Sequence, residues 1–218
     1  MIRQLLLPGT AAEETFSDIC GAGLFPAEEA VLSGASAQRR AEFATGRACA
    51  RAALAALGLP AAAILPGPRG EPQWPAGVAG SITHCAGYRA CAAAWLGDTA
   101  AVGIDAEPNC PLPDGVLGDV AVPAEHGWLA DRMAAAPGVC WDRLLFSAKE
   151  SAYKAWFPLT GRPLRFQDAA VTLDQDGHRF IVRVLLPGAA SAGHRLSQLE
   201  GSWLAGGGLV ITAVTVPG

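Results

Sequence analysis

Val102-Gly103-Ile104-Asp105-Ala106-Glu107-Pro108 is an apolar, strand-like run that breaks at two carboxylates one residue apart. Residues two apart on a strand project to the same side, so Asp105 and Glu107 can converge on one cation. Pro108 stops the strand beyond them. Carboxylate oxygens suit Mg²⁺, which takes a few protein ligands and leaves the rest of its shell to water and substrate phosphates. A lone D-x-E is more often a solvated turn bearing two surface acids, so this run needs a second feature beside it.

That feature is Phe146-Ser147-Ala148-Lys149-Glu150-Ser151-Ala152-Tyr153-Lys154-Ala155-Trp156. On a helix Glu150 and Lys154 are i and i+4 and share a face, which taken alone describes a surface salt bridge worth a few tenths of a kcal/mol. The residues around the pair are mostly apolar and aromatic, however, so the helix is expected to be buried and its charges confined to one purpose. An acid, a base and a metal-type D-x-E together are the parts of phosphoryl transfer.

Anion-binding groups lie in the first half. At roughly 100° per residue, Arg40, Arg47 and Arg51 fall within about 40° of one another on a helix, and Arg39 lies about 80° from Arg47. Guanidinium groups grip phosphate in a bidentate way, although the same stripe also reads as a solvated face paired with Glu42. Arg69 sits in a Gly-Pro loop, where it is either a ligand group or a surface arginine. In Gly80-Ser81-Ile82-Thr83-His84-Cys85 the hydroxyls alternate with apolar residues, and Ser81, Thr83 and His84 either face a phosphate or finish an ordinary strand.

The elements that must position these groups can be sketched. A helix is predicted from Ser36, its N-cap, to Leu57, with Gly58-Leu59-Pro60 as the stop. Residues 60–80 are dense in Pro and Gly and read as an ordered loop. Strands are predicted at 89–96 and 99–105, joined by a tight hairpin turn at Gly97-Asp98. Helical patterns follow at 123–136 and 141–157, the second ended by Pro158. The last third reads as strands at 165–173, 179–186, 199–205 and 209–216, with a turn at Asp176-Gly177. Helices mixed with antiparallel hairpins make an α+β protein, and a pair of similar lobes split near residue 104 is consistent with the pattern.

Composition narrows the function classes. The 218 residues can bury a substantial core unaided, and the net charge of −4 argues against nucleic-acid binding, which needs a basic surface. The six cysteines show no C-x-x-C pair or ligand spacing, so they read as reduced thiols and zinc is disfavoured. The apolar run Leu5 to Leu7 is too short for a signal-peptide core or a membrane span. A cytoplasmic protein is expected, without a membrane partner.

In this order along the chain, the segments 39–47, 70–75, 80–85, 102–108 and 141–159 resemble the two-lobed phosphopantetheinyl transferases of the surfactin and enterobactin type. The similarity is greatest to the actinobacterial enzymes of the enterobactin branch and covers about residues 37 to 165. The resemblance implies transfer of the 4′-phosphopantetheine group of coenzyme A to a serine of an apo acyl or peptidyl carrier protein, releasing 3′,5′-ADP. Carriers of polyketide, nonribosomal-peptide, siderophore and fatty-acid synthesis are the implied partners. It implies a monomeric pseudo-dimer of two similar lobes, each a small antiparallel sheet with a long packed helix, divided as residues 1–104 and 105–218, with coenzyme A between them.

By the same resemblance Asp105, Glu107 and Glu150 hold Mg²⁺ with the coenzyme A pyrophosphate. Arg39 or Arg40, with Arg47, Arg69 and His84, sits at the nucleotide phosphates, and Ser81 and Thr83 line that pocket. Glu150, or a water it holds, takes the proton from the carrier serine, Lys154 assists departure of 3′,5′-ADP, and Lys149 steadies the phosphates. Segment 109–124 and the helix after it are the implied carrier-docking region. Two other readings compete: a non-catalytic coenzyme A or nucleotide-binding protein, and a different Mg²⁺-dependent phosphotransferase, for which no P-loop or kinase glycine motif is present.

Overall fold

Ser36 opens the first long helix as its chemistry requires: its Oγ accepts the backbone N–H of Arg39 at 3.2 Å. This helix, α2 (Ala37–Ala56), is preceded by a short α1 (Pro26–Val31), and Gly58, at φ +79°, turns the chain out of it. The computed structural model describes residues 1–174, 178–186, 190–191, 194–195 and 197–218. The predicted turn at Asp176-Gly177 lies outside the described residues.

α2 lies on a three-stranded antiparallel sheet of order β1-β3-β2, made of β1 (Ala11–Thr15), β2 (Val78–Cys85) and β3 (Tyr88–Trp95). The central strand carries four alanines and a cysteine between Tyr88-Arg89 and Trp95. Cys91 and Ala93 pack with Cys49, Ala50, Ala53 and Leu54 of α2. Their neighbours Tyr88, Ala90 and Ala92 face the other way and pack on Val102, Ile104 and Ala106. On that face Tyr88 is followed only by alanines, which lets the second lobe approach closely.

Those three residues belong to β4 (Thr99–Pro108), the edge of a five-stranded antiparallel sheet of order β4-β10-β9-β6-β5. Its other strands are β5 (Ala169–Leu173), β6 (Arg179–Val184), β9 (Gln198–Gly206) and β10 (Leu209–Pro217); a two-stranded ribbon of β7 (Ala190–Ser191) and β8 (His194–Arg195) stands apart. The second long helix, α5 (Trp141–Thr160), packs on this sheet after two short helices, α3 (Val116–Val120) and α4 (His126–Ala135). Leu144, Leu145, Ala148, Ala152, Ala155 and Trp156 bury its inner face against Val182, Val210 and Val214.

The fold is thus the expected two-lobed α+β arrangement, each lobe an antiparallel sheet carrying a 20-residue helix. Three local expectations are corrected. First, β3 and β4 do not form a hairpin: at Gly97-Asp98 the chain leaves one sheet for the other, and β4 pairs with β10 from Thr99 onward. Sheet membership therefore changes at residues 97–98, and residue 104 falls inside β4. Second, Pro158 does not end α5. The helix runs to Thr160, and Gly161, at φ +63°, donates its N–H to the Phe157 carbonyl. The single N–H lost in a final turn is tolerated beside the fully buried Trp156. Third, residues 166–168 form a 3₁₀ turn rather than the start of a strand, because the Asp168 carboxylate captures the Arg165 N–H at 3.0 Å.

β4's outer edge is not left bare. Ser81 Oγ accepts the Ile104 N–H at 3.1 Å and Thr83 Oγ1 accepts the Ala106 N–H at 3.0 Å, so two side chains of β2 stitch the lobes where a ladder does not. Ser81→Ala is expected to leave a buried backbone donor without an acceptor and to cost about 1–3 kcal/mol, read as a lower urea midpoint at unchanged slope.

Candidate functional site

On α5 the residues 143, 147, 150 and 154 recur at spacings of four, three and four and form one stripe facing β4. The residues of β4 that point toward α5 are Gly103, Asp105 and Glu107. At Gly103 the two elements touch: an added Cβ would lie 2.0 Å from the Ser151 carbonyl oxygen and 2.6 Å from the Ala155 nitrogen. The absent side chain is what lets Asp105 reach the helix.

Lys154 Nζ donates to Asp105 Oδ1 at 2.8 Å and to the Ile104 carbonyl at 3.1 Å. Seven residues from Glu150 toward the N-terminus of α5, Arg143 Nη1 donates to Glu107 Oε2 at 3.1 Å, so β4 and α5 run antiparallel with a cation at each end of the acidic pair. Glu150 stands between the two cations. Burial, and then the charge of Asp105, push its carboxyl above the ordinary range, with Lys154 pulling the other way. Glu107 is raised by burial and by Asp105, against the pull of Arg143 and Lys154.

Among the described residues no three acidic, imidazole or thiol side chains yet stand close enough together to grip one metal ion. The chemistry of the set nevertheless fits a hard divalent cation. The donors are all oxygen, two of the carboxyls carry pKa values raised by burial and by the charge of Asp105, and Asp105 Oδ2 is buried with no hydrogen-bond partner. A cation would satisfy that oxygen and relieve the repulsion together.

The first lobe contributes Arg39, whose Nη1 lies 3.1 Å from His84 Nε2. Partial desolvation, followed by the Arg39 charge, lowers the pKa of the exposed His84 ring, so it is neutral near pH 7 and accepts from the guanidinium. Arg47 is buried, its Nε donating to the Ile64 carbonyl at 2.8 Å and its guanidinium lying over the Phe43 ring at 3.9 Å. Burial pulls its pKa down to about 10. Arg69 crosses from the Gly-Pro loop to the second lobe, 5.8 Å from the Phe157 ring centroid.

Four predicted site residues are placed elsewhere. Arg40 bonds the Leu32 carbonyl and Glu29, and Arg51 bonds Glu28, so the arginine stripe is occupied by the acids of α1 and Arg39 alone of the adjacent pair reaches His84. Ser81 and Thr83 are buried with their hydroxyls spent on β4, although Thr83 Oγ1 also comes within 3.5 Å of Asp105 Oδ1. Lys149 points away from the acids: all three N–H groups are spent on the Val120 carbonyl, Glu125 Oε2 and the Phe166 carbonyl at 2.8, 2.8 and 2.9 Å. In this structure it fastens three segments under α5 and does not face a phosphate.

The sequence reading missed Arg143 and Glu125. Arg143 was findable, because seven residues before Glu150 is two helical turns on the same face. No local signal marks Glu125, which meets Lys149 only through the tertiary fold.

Beside Glu150 on the far flank of α5 opens a cavity of about 330 Å³, lined by Lys149, Tyr153, Leu164, Arg165, Phe166 and Ala169. A larger concavity, about 700 Å³, lies on the outer face of the five-stranded sheet among Thr172, Ile181 and Thr215, and none of the predicted site residues lines it. Chemistry, not size, selects the smaller one.

Comparison with known proteins bears on this site. The family model described as the 4′-phosphopantetheinyl transferase N-terminal domain matches residues 27–94, and that of the 4′-phosphopantetheinyl transferase superfamily matches residues 101–214. The chain is 52% identical to 4′-phosphopantetheinyl transferase Svp of Streptomyces mobaraensis over 99% of this chain and 89% of that protein. It is 46% identical to 4′-phosphopantetheinyl transferase PptT of Mycobacterium tuberculosis, over 97% and 96% respectively. To 4′-phosphopantetheinyl transferase Npt of Nocardia iowensis it is 42% identical, over 98% and 99%.

Proposed function

This chain belongs to the 4′-phosphopantetheinyl transferase superfamily, and we propose from that membership how its residues divide the work of the reaction. The enzyme transfers the 4′-phosphopantetheine group of coenzyme A to a serine of an apo carrier protein and releases 3′,5′-ADP.

The observation that carries the assignment is Asp105, held on one oxygen by Lys154 while its other oxygen is buried and unpartnered. Asp105, Glu107 and Glu150 would hold Mg²⁺, which supplies neutralising charge to the diphosphate of coenzyme A. Glu150, its pKa raised by burial and by Asp105, is suited to receive the proton of the carrier serine, directly or through a water, as the serine oxygen attacks the β-phosphorus. Lys154 balances the negative charge that develops on the departing 3′,5′-ADP. Arg39, with His84 as its acceptor, and Arg47 and Arg69 hold the nucleotide phosphates from the first lobe. The cavity beside Glu150 takes the pantetheine arm, with Tyr153, Leu164 and Phe166 as its apolar wall.

The nucleophile is the partner's, which accounts for the lack of a nucleophile motif in this chain. Because one chain supplies both lobes, the enzyme acts as a monomer; its acidic surface has no use for nucleic acid. Among the described residues no helix is long and apolar enough to cross a membrane, and we place the enzyme in the cytoplasm with its substrates. A non-catalytic coenzyme A-binding protein has no observation in its favour, since the acids and Lys154 are all present.

Incubation with coenzyme A, Mg²⁺ and an apo carrier protein is expected to increase the carrier's mass by one phosphopantetheine. Unchanged mass across acyl and peptidyl carriers would refute the assignment. Turnover that persists undiminished in excess chelator would refute the metal's part in it.

A further inference from the structure

Arg143 lies outside every role assigned so far, yet it is the most heavily engaged arginine near the acids. It is largely buried, and its fork makes three separate attachments to the chain leaving β4. Nη1 donates to Glu107 Oε2 at 3.1 Å, Nε to the Cys110 carbonyl at 3.1 Å and Nη2 to the Pro111 carbonyl at 2.9 Å. The other Glu107 oxygen makes no hydrogen bond within the described residues.

The pattern repeats that of Asp105. There too a cation of α5 holds one oxygen and leaves the other free, and Lys154 and Arg143 are eleven residues apart, nearly in line and about 16 Å from end to end of the stripe. Long side chains reach inward from the two ends of this stretch and present one free oxygen each from Asp105 and Glu107. Glu150 lies between them.

We infer that Arg143 is the positioning residue for Glu107, which orients that carboxylate toward the cation by clasping residues 107–111 against α5. It touches no reacting atom. A planar fork can hold a carboxylate and two carbonyls at once, and a lysine ammonium on a flexible stem cannot reproduce that geometry. The fold does not depend on it alone, since Asn109 is separately bonded to Gly138 and Cys140, and Leu112 to Asp142.

The inference rests on the metal reading above, and its test separates the two. Mg²⁺ is titrated calorimetrically into the full-length protein, with coenzyme A bound, for the wild type, Arg143→Gln and Arg143→Lys, alongside thermal unfolding of each. Both variants are expected to bind Mg²⁺ about tenfold more weakly or worse, as when an orienting partner of a metal ligand is lost, with coenzyme A affinity in chelator unchanged. In a Glu107→Gln background, Arg143→Gln should add little. Wild-type Mg²⁺ affinity in Arg143→Lys, or tighter binding in Arg143→Gln, would show that Arg143 contributes charge alone and overturn the inference. Loss of cooperative unfolding in both variants would overturn it in favour of a folding role. Absence of Mg²⁺ binding by the wild type would overturn the metal reading, and the inference with it.

Discussion

Glu150→Gln is expected to reduce carrier modification by about 10³-fold or more, combining the loss of a general base with that of an anionic ligand oxygen. The substitution keeps shape and removes charge. Because the folded protein raises the Glu150 pKa, its ionised form is disfavoured by folding, and this penalty is felt above the ordinary carboxyl pKa. Neutral glutamine removes it, so thermal unfolding near pH 7 should be unchanged or slightly higher. Activity is measured as the rate of carrier mass increase at saturating coenzyme A. Full turnover in the variant would remove Glu150 from both roles, and a lowered melting temperature would attribute the loss to the fold.

Gly103→Ala is expected to be the most damaging single methyl group in the molecule, at about 3 kcal/mol or more, the upper end of the range for overpacking. The atoms it would meet belong to the α5 backbone, at 2.0 and 2.6 Å, so no rotamer change relieves the clash and the helix must move. The Lys154–Asp105 contact is formed across that same crossing. Displacement by about 1 Å is enough to cost on the order of 10²-fold in rate, so activity should fall further than stability alone explains. Gly46→Ala provides the control: its Cβ would sit 3.3 Å from the Ile82 methyl, which can yield. Equal urea midpoints for the two variants would contradict this reading.

What could be read from the chain beforehand was local. The period of a strand put Asp105 and Glu107 on one side, and the period of a helix put Glu150 beside Lys154; both hold because those periods belong to the backbone. The arginine stripe failed for the complementary reason. Its geometry on α2 was right, but Glu28 and Glu29 come from another helix and claim Arg51 and Arg40. Lys149 was likewise misjudged, since Glu125 and two distant carbonyls meet it only after the second lobe closes. The hairpin at residues 97–98 was a reasonable expectation from turn chemistry, and it lost to a better partner for β4, which β10 supplies from the far end of the chain.

The seam between the lobes bears on how such a protein can change over generations. Strand ladders are made by groups every residue carries, so substitutions along them leave the pairing intact. Here the β4 backbone is fastened across the joint by the hydroxyls of Ser81 and Thr83, so a single codon change to alanine or valine removes a hydrogen bond that no ladder replaces, while the apolar contact of Tyr88, Ala90 and Ala92 with Val102, Ile104 and Ala106 remains. Substitution at these two positions is therefore expected to cost the seam more than substitution along the ladders of either sheet, because each leaves a buried N–H of β4 without its acceptor.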